Sequence, residues 1–174
     1  MHLNSFCIVL ISMIEILRLG HRIQRDKRIS THVALVARTF GADKIWYDGQ
    51  KDKSLEESVN KIVKKFGGDF KIEHIKNYKK LFSGKKIVHL TMYGDDFRKH
   101  VNKIKGKILI IVGGEKVPKE IYEISDYNLG VGNQPHSEVA ALGIFLDHLG
   151  KFKKIKGKLE IVPNLEGKKI FKKK

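Results

Sequence analysis

The stretch KILIIVGGEKVP, residues 107–118, decides the fold class of this chain. Residues 108–112 are apolar at five consecutive positions, which is typical of a strand covered on both faces of a parallel sheet. Gly113 and Gly114 follow at once and indicate a turn, and Pro118 can open a helix. The stretch therefore predicts a central strand whose carboxyl end leads into a glycine-rich turn.

Further strand-like runs alternate with helical patterns on both sides of this stretch. The runs lie at residues 14–19, 43–48, 70–75, 86–93 and 127–132. Ser54 and Glu57 are spaced as a capping box and mark the start of one helix. The apolar stripe of this helix is formed by Leu55, Val59, Ile62, Val63 and Phe66. A second helix is predicted over residues 30–40. Strands separated by helices indicate βαβ units, so we expect an α/β fold with a mostly parallel sheet.

The charge of the chain limits the kinds of partner it can have. The 174 residues carry a formal net charge of +16, and residues 151–174 contain ten lysines against two glutamates. Such a charge favours nucleic acid or an anionic membrane surface as partner, although a lysine-rich tail can also serve solubility alone. Cys7 is the single cysteine, which excludes a disulfide scaffold, and no Cys or His pair has the spacing of a metal site.

The sequence divides into three parts. Residues 1–12 are apolar, but the segment is too short for a membrane span and lacks the features of a secretory signal. Met13 could equally be the start of the chain, so we treat residues 1–12 as an extension of unknown status. Residues 13–150 form the main domain, and residues 151–174 are predicted to form a basic hairpin arm around a turn at 164–167. We expect a cytoplasmic protein. The helix predicted over 137–149 is apolar nearly all round, which indicates a second partner, such as another subunit.

Three loops at predicted strand ends are rich in glycine or polar residues, at 92–94, 113–118 and 130–137. Ligands of open α/β sheets bind at the carboxyl ends of strands, so these loops form the candidate binding site. Tight βα turns would have the same composition. The third loop lacks the last glycine of the dinucleotide fingerprint, and no phosphate-binding GxxxxGK[ST] motif is present.

A second candidate site lies in the stretch RLGHRIQRDKRIS, residues 18–30. We interpret it as a loop after the first strand, with Arg18, Arg22, Arg25 and Arg28 as candidate contacts to RNA phosphates. The alternative is a solvated basic loop in which Asp26 pairs with one of the arginines.

Four segments in this order resemble the archaeal tRNA (cytidine(56)-2′-O)-methyltransferases of the SPOUT superfamily. They are LRLGHRIQRDKRISTHVALVARTFGADKI at 17–45, HLTMYG at 89–94, IVGGEKVP at 111–118 and VGNQPHSEVAALGIFLDHL at 131–149. The resemblance implies a sheet whose C-terminal part is tied in a deep trefoil knot, which ordinary topology rules exclude. It also implies S-adenosyl-L-methionine as cofactor, tRNA as substrate and a homodimer, with no membrane and no metal.

The resemblance also assigns site residues. The cofactor is expected to contact Leu90, Gly113, Gly114, Glu115, Lys116, Val117, Val131, Gly132, Asn133, Gln134, Pro135, His136, Ser137 and Glu138. Arg38 matches the first-motif arginine of related 2′-O-methylating enzymes and is our candidate catalytic residue. Because a guanidinium is a poor base at neutral pH, we expect Arg38 to orient the ribose hydroxyl and stabilise the developing alkoxide.

Two histidines and two other protein classes remain as alternatives. His32 and His136 titrate in the range that suits a base, although a helix-start residue and a loop hydrogen-bond donor are simpler roles for them. A non-catalytic tRNA-binding protein with the same fold would bind the cofactor without transferring the methyl group. A nicotinamide-dependent oxidoreductase would prefer NADH to S-adenosylmethionine.

Overall fold

The computed structural model describes residues 11–114 and 116–172, so Glu115 and most of the predicted N-terminal extension lie outside the described residues. The strands are β1 (Ile11–His21), β2 (Lys44–Gly49), β3 (Lys71–His74), β4 (Lys86–Asp96), β5 (Gly106–Val112), β6 (Tyr127–Gly130), β7 (Leu159–Ile161) and β8 (Ile170–Lys172). The α-helices are α1 (Ile23–Thr39), α2 (Lys53–Phe66), α3 (Lys119–Ile124) and α4 (Glu138–Leu149). All six strand-like runs of the sequence form strands, and the α/β prediction is confirmed.

Six strands form one sheet in the order β3-β2-β1-β5-β4-β6, and every neighbouring pair is parallel. β5, the predicted central strand, lies between β1 and β4, and all of its residues from Ile108 to Val112 are buried. Ile108 and Ile110 face a core cluster with Val33 of α1 and Phe145 of α4. Leu109 and Ile111 pack on the opposite face, so the strand is covered on both sides, as its unbroken apolar run indicates.

Helix α1 begins earlier than the sequence predicts. The sequence pattern predicts a start near Ser30 and a loop before it, whereas the helix starts at Ile23 directly after β1. The physical reason is that the basic residues occupy the solvent side of the first turns, while Asp26, Ser30 and Val33 form a buried side. The basic stretch is therefore a strand end and a helix, and its interpretation as a loop is wrong.

Helix α2 is capped by a different residue from the predicted one. The Asp52 carboxylate accepts hydrogen bonds from the backbone N–H groups of Ser54, at 2.9 Å, and Leu55, at 3.1 Å. The Ser54 hydroxyl donates to the same carboxylate oxygen at 2.6 Å instead of capping the helix itself. A charged carboxylate one position before the helix satisfies the orphan N–H groups better than a hydroxyl inside the first turn. The predicted capping box is therefore wrong, and Asp52 is the N-cap.

The segment after α4 packs on the amino-terminal edge of the sheet. Phe152 contacts Phe40 with ring centroids 5.7 Å apart, and Lys153 Nζ lies 2.5 Å from Asp43 Oδ1. Gly41 has a φ of +87° and lies so close to Lys151 that a Cβ there would be 1.7 Å from the Lys151 carbonyl oxygen. Beyond it, β7 and β8 pair antiparallel. Among the described residues, no helix has the length and apolar character needed to cross a membrane.

Candidate functional site

A cavity of about 440 Å³ opens at the carboxyl ends of β1, β4 and β5 and at the start of α4. Many of the sequence-predicted cofactor residues line it together: Leu90, Gly113, Gly114, Val117, Val131, Pro135, His136, Ser137 and Glu138. Lys116 lines an adjoining cavity with Gly20, Gly49 and Arg22. Residues 92–94 lie within β4 and not in a loop after it, so that part of the strand-end prediction is wrong. Met92 and Tyr93 nevertheless line the cavity together with the other two glycine-bearing segments.

The third loop is tied to the end of β4 by one side chain. Asn133 Nδ2 donates to the carbonyl oxygens of Met92, at 2.8 Å, and Gly94, at 3.0 Å. Gly94 itself lies against Asn128 and Leu129, where a Cβ would stand 2.5 Å from the Leu129 nitrogen. Asn133 does not line the cavity itself, but it connects two of the segments that form the cavity walls. Gly132 and Gln134 also lie outside the lining.

The four candidate arginines have different environments. Arg18 is only 1 % exposed; it donates to the Leu19 carbonyl oxygen, and its Nη2 lies 3.1 Å from Glu138 Oε1. Burial lowers the pKa of Arg18, and the charge of Glu138 opposes that effect. Arg22 and Arg25 are exposed and line the cavity, whereas exposed Arg28 does not. Arg18 is therefore placed to act inside the cavity and has no surface from which to meet an RNA phosphate.

Asp26 pairs with Arg22, as the alternative interpretation of the basic stretch states. Its Oδ2 accepts from the Arg22 backbone N–H at 3.1 Å and from Arg22 Nε at 2.9 Å. The hydrogen bond from the Arg22 side chain is the main reason that the pKa of Asp26 lies below its usual value. This pair fixes the first turn of α1, from which Arg22 and Arg25 face the cavity.

A buried polar network behind this turn connects α1 to α2. His21 Nδ1 lies 2.9 Å from the Ser30 hydroxyl, and His21 Nε2 lies 3.5 Å from Asp52 Oδ2. Burial lowers the pKa of His21 against the opposing effect of Asp52. The ring also packs edge-on against Tyr47, with centroids 5.4 Å apart. The network holds the cavity-facing end of α1 on a rigid base.

His89 is a lining residue that sequence reasoning missed. It is fully buried, and its Nδ1 lies 2.9 Å from Asn128 Oδ1. Asn128 Nδ2 donates to the Tyr122 carbonyl oxygen at 2.8 Å, so Oδ1 is the acceptor and His89 carries its proton on Nδ1. Burial lowers the pKa of His89, which keeps the ring neutral. The available signal was a histidine inside an apolar strand run just before a predicted ligand loop.

Arg38 lies far from the cavity of its own chain. It is near the C-terminal end of α1, where Nη2 donates to the Gly67 carbonyl oxygen at 2.6 Å, and burial lowers the pKa of its guanidinium. It lies thirteen positions after Arg25, which corresponds to about 20 Å along a helix. Of the two alternative bases, His136 lines the cavity and His32 is exposed on α1 outside it. Within one chain, the structure does not bring Arg38 to the predicted cofactor residues.

The comparison with protein families settles what kind of protein has this cavity. Residues 66–171 match the model of the tRNA ribose 2′-O-methyltransferase family, aTrm56. The chain belongs to the aTrm56 family. Among relatives, the tRNA (cytidine(56)-2′-O)-methyltransferase of Thermococcus kodakarensis is 51 % identical over 91 % of this chain and 97 % of its own length. That of Methanocaldococcus jannaschii is 49 % identical over 93 % of this chain and 98 % of its own length.

The fold of this aTrm56 family member is similar to that of solved SpoU methyltransferases. The SpoU methyltransferase AviRb from Streptomyces viridochromogenes, in complex with AdoMet, matches 81 % of this chain and 58 % of its own, with a TM-score of 0.61 and 15 % identity. The TrmH/SpoU tRNA modifying enzyme of A. aeolicus matches 81 % of this chain and 75 % of its own, with a TM-score of 0.57 and 18 % identity. At such low identities the likeness concerns the fold alone.

Proposed function

We propose that this chain catalyses the S-adenosyl-L-methionine-dependent 2′-O-methylation of the ribose of cytidine 56 in the T-loop of tRNA. The observation that carries the proposal is the 51 % identity to a tRNA (cytidine(56)-2′-O)-methyltransferase over 91 % of the chain. The strand-end cavity supports it independently, because it lies where ligands of open α/β sheets bind.

The residues around the cavity fit the cofactor. Its volume of about 440 Å³ lies in the usual range for small-molecule sites. Gly113 leaves the space into which Val117 packs, since a Cβ there would lie 2.1 Å from Val117 Cγ2. Leu90, Val117 and Val131 supply apolar walls. When bound, S-adenosyl-L-methionine supplies an electrophilic methyl group on its sulfonium. We assign the cofactor-holding role to the predicted residues of the three segments, and to Glu115 beside them, which the structure does not describe.

The chain has two tasks in the transfer. It orients the ribose 2′-hydroxyl in line with the bond that breaks, and it stabilises the alkoxide that forms as the hydroxyl loses its proton. Exposed Arg22 and Arg25 at the mouth of the cavity, with Arg28 one turn further on, are suited to hold the RNA phosphates next to the target. The lysines of the C-terminal arm would add affinity for tRNA that does not depend on sequence.

The catalytic role of Arg38 requires a second copy of the chain. Because Arg38 lies about 20 Å from the cavity mouth along α1, it reaches a ligand only if another protomer places its own cavity there. The proposal is therefore a homodimer that pairs through α1 and α4. Two exposed isoleucines support it: Ile29 of α1, which also lines the cavity, is 40 % exposed, and Ile144 of α4 is 42 % exposed.

Two further properties belong to this proposal: a trefoil knot and a cytoplasmic location. The support for the knot is the strand order, because the chain passes from β5 across β4 to β6 and then returns with α4 to the side of α1. Leu129 also pairs with both Leu90 and Asp95 of β4, so the register between β4 and β6 shifts along residues 90–95. The cytoplasmic location is supported by the tRNA substrate of the relatives.

The experiment is mass mapping of the methylated nucleoside. An unmodified tRNA transcript is incubated with the protein and S-adenosyl-L-methionine, digested, and searched for a ribose heavier by one methyl group. We expect the methyl group on cytidine 56 alone, and a transcript with 2′-deoxycytidine at that position to remain unmodified. Binding of cofactor and tRNA without methylation would identify a non-catalytic binding protein, and preferential binding of NADH would identify an oxidoreductase.

A further inference from the structure

One tyrosine side chain stands exposed at the mouth of the cavity. Tyr93 belongs to β4, lines the cavity and is 75 % exposed. Among the described residues, no other Phe, Tyr or Trp side chain both lies exposed and lines the cavity. A tyrosine ring offers a large apolar surface to a partner, so an exposed ring beside a binding site is suited to contact a ligand.

The other tyrosine of the cavity is already engaged. The Tyr122 ring packs edge-on against His89, with centroids 4.7 Å apart, and its hydroxyl lies 3.3 Å from Thr91 Oγ1. Within the described part of the chain, the Tyr93 side chain has no contact with another aromatic ring and no hydrogen bond. A planar ligand can therefore stack on Tyr93 without displacing another ring.

The backbone that carries Tyr93 is held on both sides. Asn133 Nδ2 donates to the carbonyl oxygens of Met92, at 2.8 Å, and Gly94, at 3.0 Å. Gly94 also lies directly against the Leu129 nitrogen, which leaves no room for a Cβ. With the peptide groups before and after Tyr93 fixed, mainly the two side-chain torsions stay free, so little conformational entropy is lost when the ring stacks.

The proposed substrate brings a planar group to the same place. Methylation requires the ribose 2′-hydroxyl to reach the cofactor inside the cavity, and the base is joined to that same ribose. A nucleotide that enters an enzyme cavity leaves its stack, which costs free energy unless new contacts replace the lost stacking. Aromatic side chains provide such contacts, and they accept any base because each base has a π face. The base therefore stands at the cavity mouth, beside Tyr93, once its ribose has entered.

We propose that Tyr93 stacks on the base of the target nucleotide and so holds the ribose 2′-hydroxyl in position for methyl transfer. This inference rests on the proposed function and adds a contact to the base, which is separate from cofactor binding and from phosphate binding. Because stacking uses the face of the base and not its edge, Tyr93 contributes affinity and orientation without selecting cytosine.

The test compares two chemically ligated tRNAs that differ only in the base at the target position. One carries cytidine there, and the other carries an abasic ribose that keeps the 2′-hydroxyl. We expect Tyr93→Ala to lower kcat/KM for the cytidine tRNA about tenfold or more, since it removes one stacked base. The same variant should leave kcat/KM for the abasic tRNA nearly unchanged, because that tRNA has no base to stack. Fluorescence anisotropy gives the same comparison as dissociation constants and needs no turnover of the abasic tRNA.

The controls separate stacking from the other roles of an exposed ring. Tyr93→Phe keeps the ring and should keep most of the rate with the cytidine tRNA, whereas Tyr93→Leu, which keeps only apolar bulk, should not. Calorimetry with S-adenosylhomocysteine should give the same dissociation constant for Tyr93→Ala as for the wild type, and sedimentation should give the same oligomeric state. Ile124→Ala removes an exposed apolar side chain of α3 that does not line the cavity, and it should change neither kcat/KM value.

The possible outcomes of this test differ clearly. No loss for Tyr93→Ala, or an equal loss with both tRNAs, would overturn the inference. Weaker binding of S-adenosylhomocysteine would overturn it by assigning the ring to the cofactor, and a changed oligomeric state would do so by assigning the ring to a protein interface. A wild-type chain that methylates neither tRNA would contradict the proposed function, and the dissociation constants would still decide whether Tyr93 stacks on the base.

Discussion

Residues of the same type in one short stretch lie in different environments in this protein. The four arginines from Arg18 to Arg28 look equivalent in the sequence, yet the strand end buries the first and the helix exposes the other three. Side chains on the same face of a strand are two residues apart, whereas those on the same face of a helix are three or four residues apart. The change from strand to helix at Arg22 therefore determines which of the arginines face the core. The sequence predicts a basic site, but the role of each arginine depends on where β1 ends.

Asp52 provides a test at the scale of one residue. We expect Asp52→Ala to lower the free energy of unfolding by about 1–2 kcal/mol, because it removes the N-cap of α2 and the partner of the buried His21. Urea unfolding followed by circular dichroism measures the change. Glu57→Ala is the matched control, because a capping box formed by Ser54 and Glu57 would make this substitution lower the free energy of unfolding as well. A larger decrease for Glu57→Ala than for Asp52→Ala would restore the capping box and contradict the assigned cap.

At the scale of elements, the sequence predicts which segments are strands better than it predicts how they are arranged. Runs of apolar residues such as 108–112 define strands because burial on both faces leaves no polar position. The order β3-β2-β1-β5-β4-β6 has no such local signal, because it depends on which strands pair across the chain. The position of Arg38 has no local signal either. The match to a family motif suggests a role for Arg38, but only the packing of α1 shows that Arg38 lies away from the cavity of its own chain.

Gly41 tests whether the segment after α4 packs on the sheet edge. We expect Gly41→Ala to lower the free energy of unfolding by about 2 kcal/mol or more, since the new Cβ meets the Lys151 carbonyl oxygen and the φ of +87° is itself unfavourable. Gly84→Ala is the control, because Gly84 has a φ of +69° but nothing within 4 Å of a Cβ. Gly84→Ala should lower the free energy of unfolding by about 1 kcal/mol, which is the contribution of the backbone conformation alone. Equal decreases for the two variants would show that residue 151 does not pack against Gly41.

The C-terminal hairpin is the element most suited to contribute general affinity for tRNA. Its strand β8 and the turn before it carry the exposed residues Lys168, Lys169 and Lys172. Changing these three lysines to glutamine should reduce the slope of log affinity against log salt by roughly 0.7–0.9 for each phosphate that the protein no longer neutralises. Fluorescence anisotropy with labelled tRNA measures that slope between low and moderate salt. The control is a triple variant that removes the same charge outside the hairpin, namely Lys76→Gln, Lys80→Gln and Lys103→Gln. If the control variant reduces the slope as much as the hairpin variant does, the hairpin has no specific role.

For the whole molecule, the proposed catalytic role of Arg38 requires one site to use residues about 20 Å apart along α1. The cavity with Glu138 and the guanidinium of Arg38 lie toward opposite ends of that helix in each chain. The proposed symmetric dimer would meet this requirement, because a two-fold axis near the middle of α1 would bring the end of one helix to the start of its copy. Each dimer would then contain two sites, and each site would be built from both chains.

Mixing two inactive variants tests this arrangement directly. Arg38→Ala removes the proposed catalytic group, and Val131→Trp fills the cavity so that calorimetry shows no cofactor binding. If Arg38 acts on the partner's cavity, a mixed dimer purified through two different tags has one complete site and should show about half of the wild-type methylation rate. If it acted on its own cavity, both sites of the mixed dimer would be damaged and the rate would stay at background.

Thr39→Ala, an exposed neighbour on α1, should be active alone and serves as the control for tagging and mixing. Full activity of Arg38→Ala by itself would remove Arg38 from the mechanism, and failure to isolate any mixed dimer would contradict the proposed assembly.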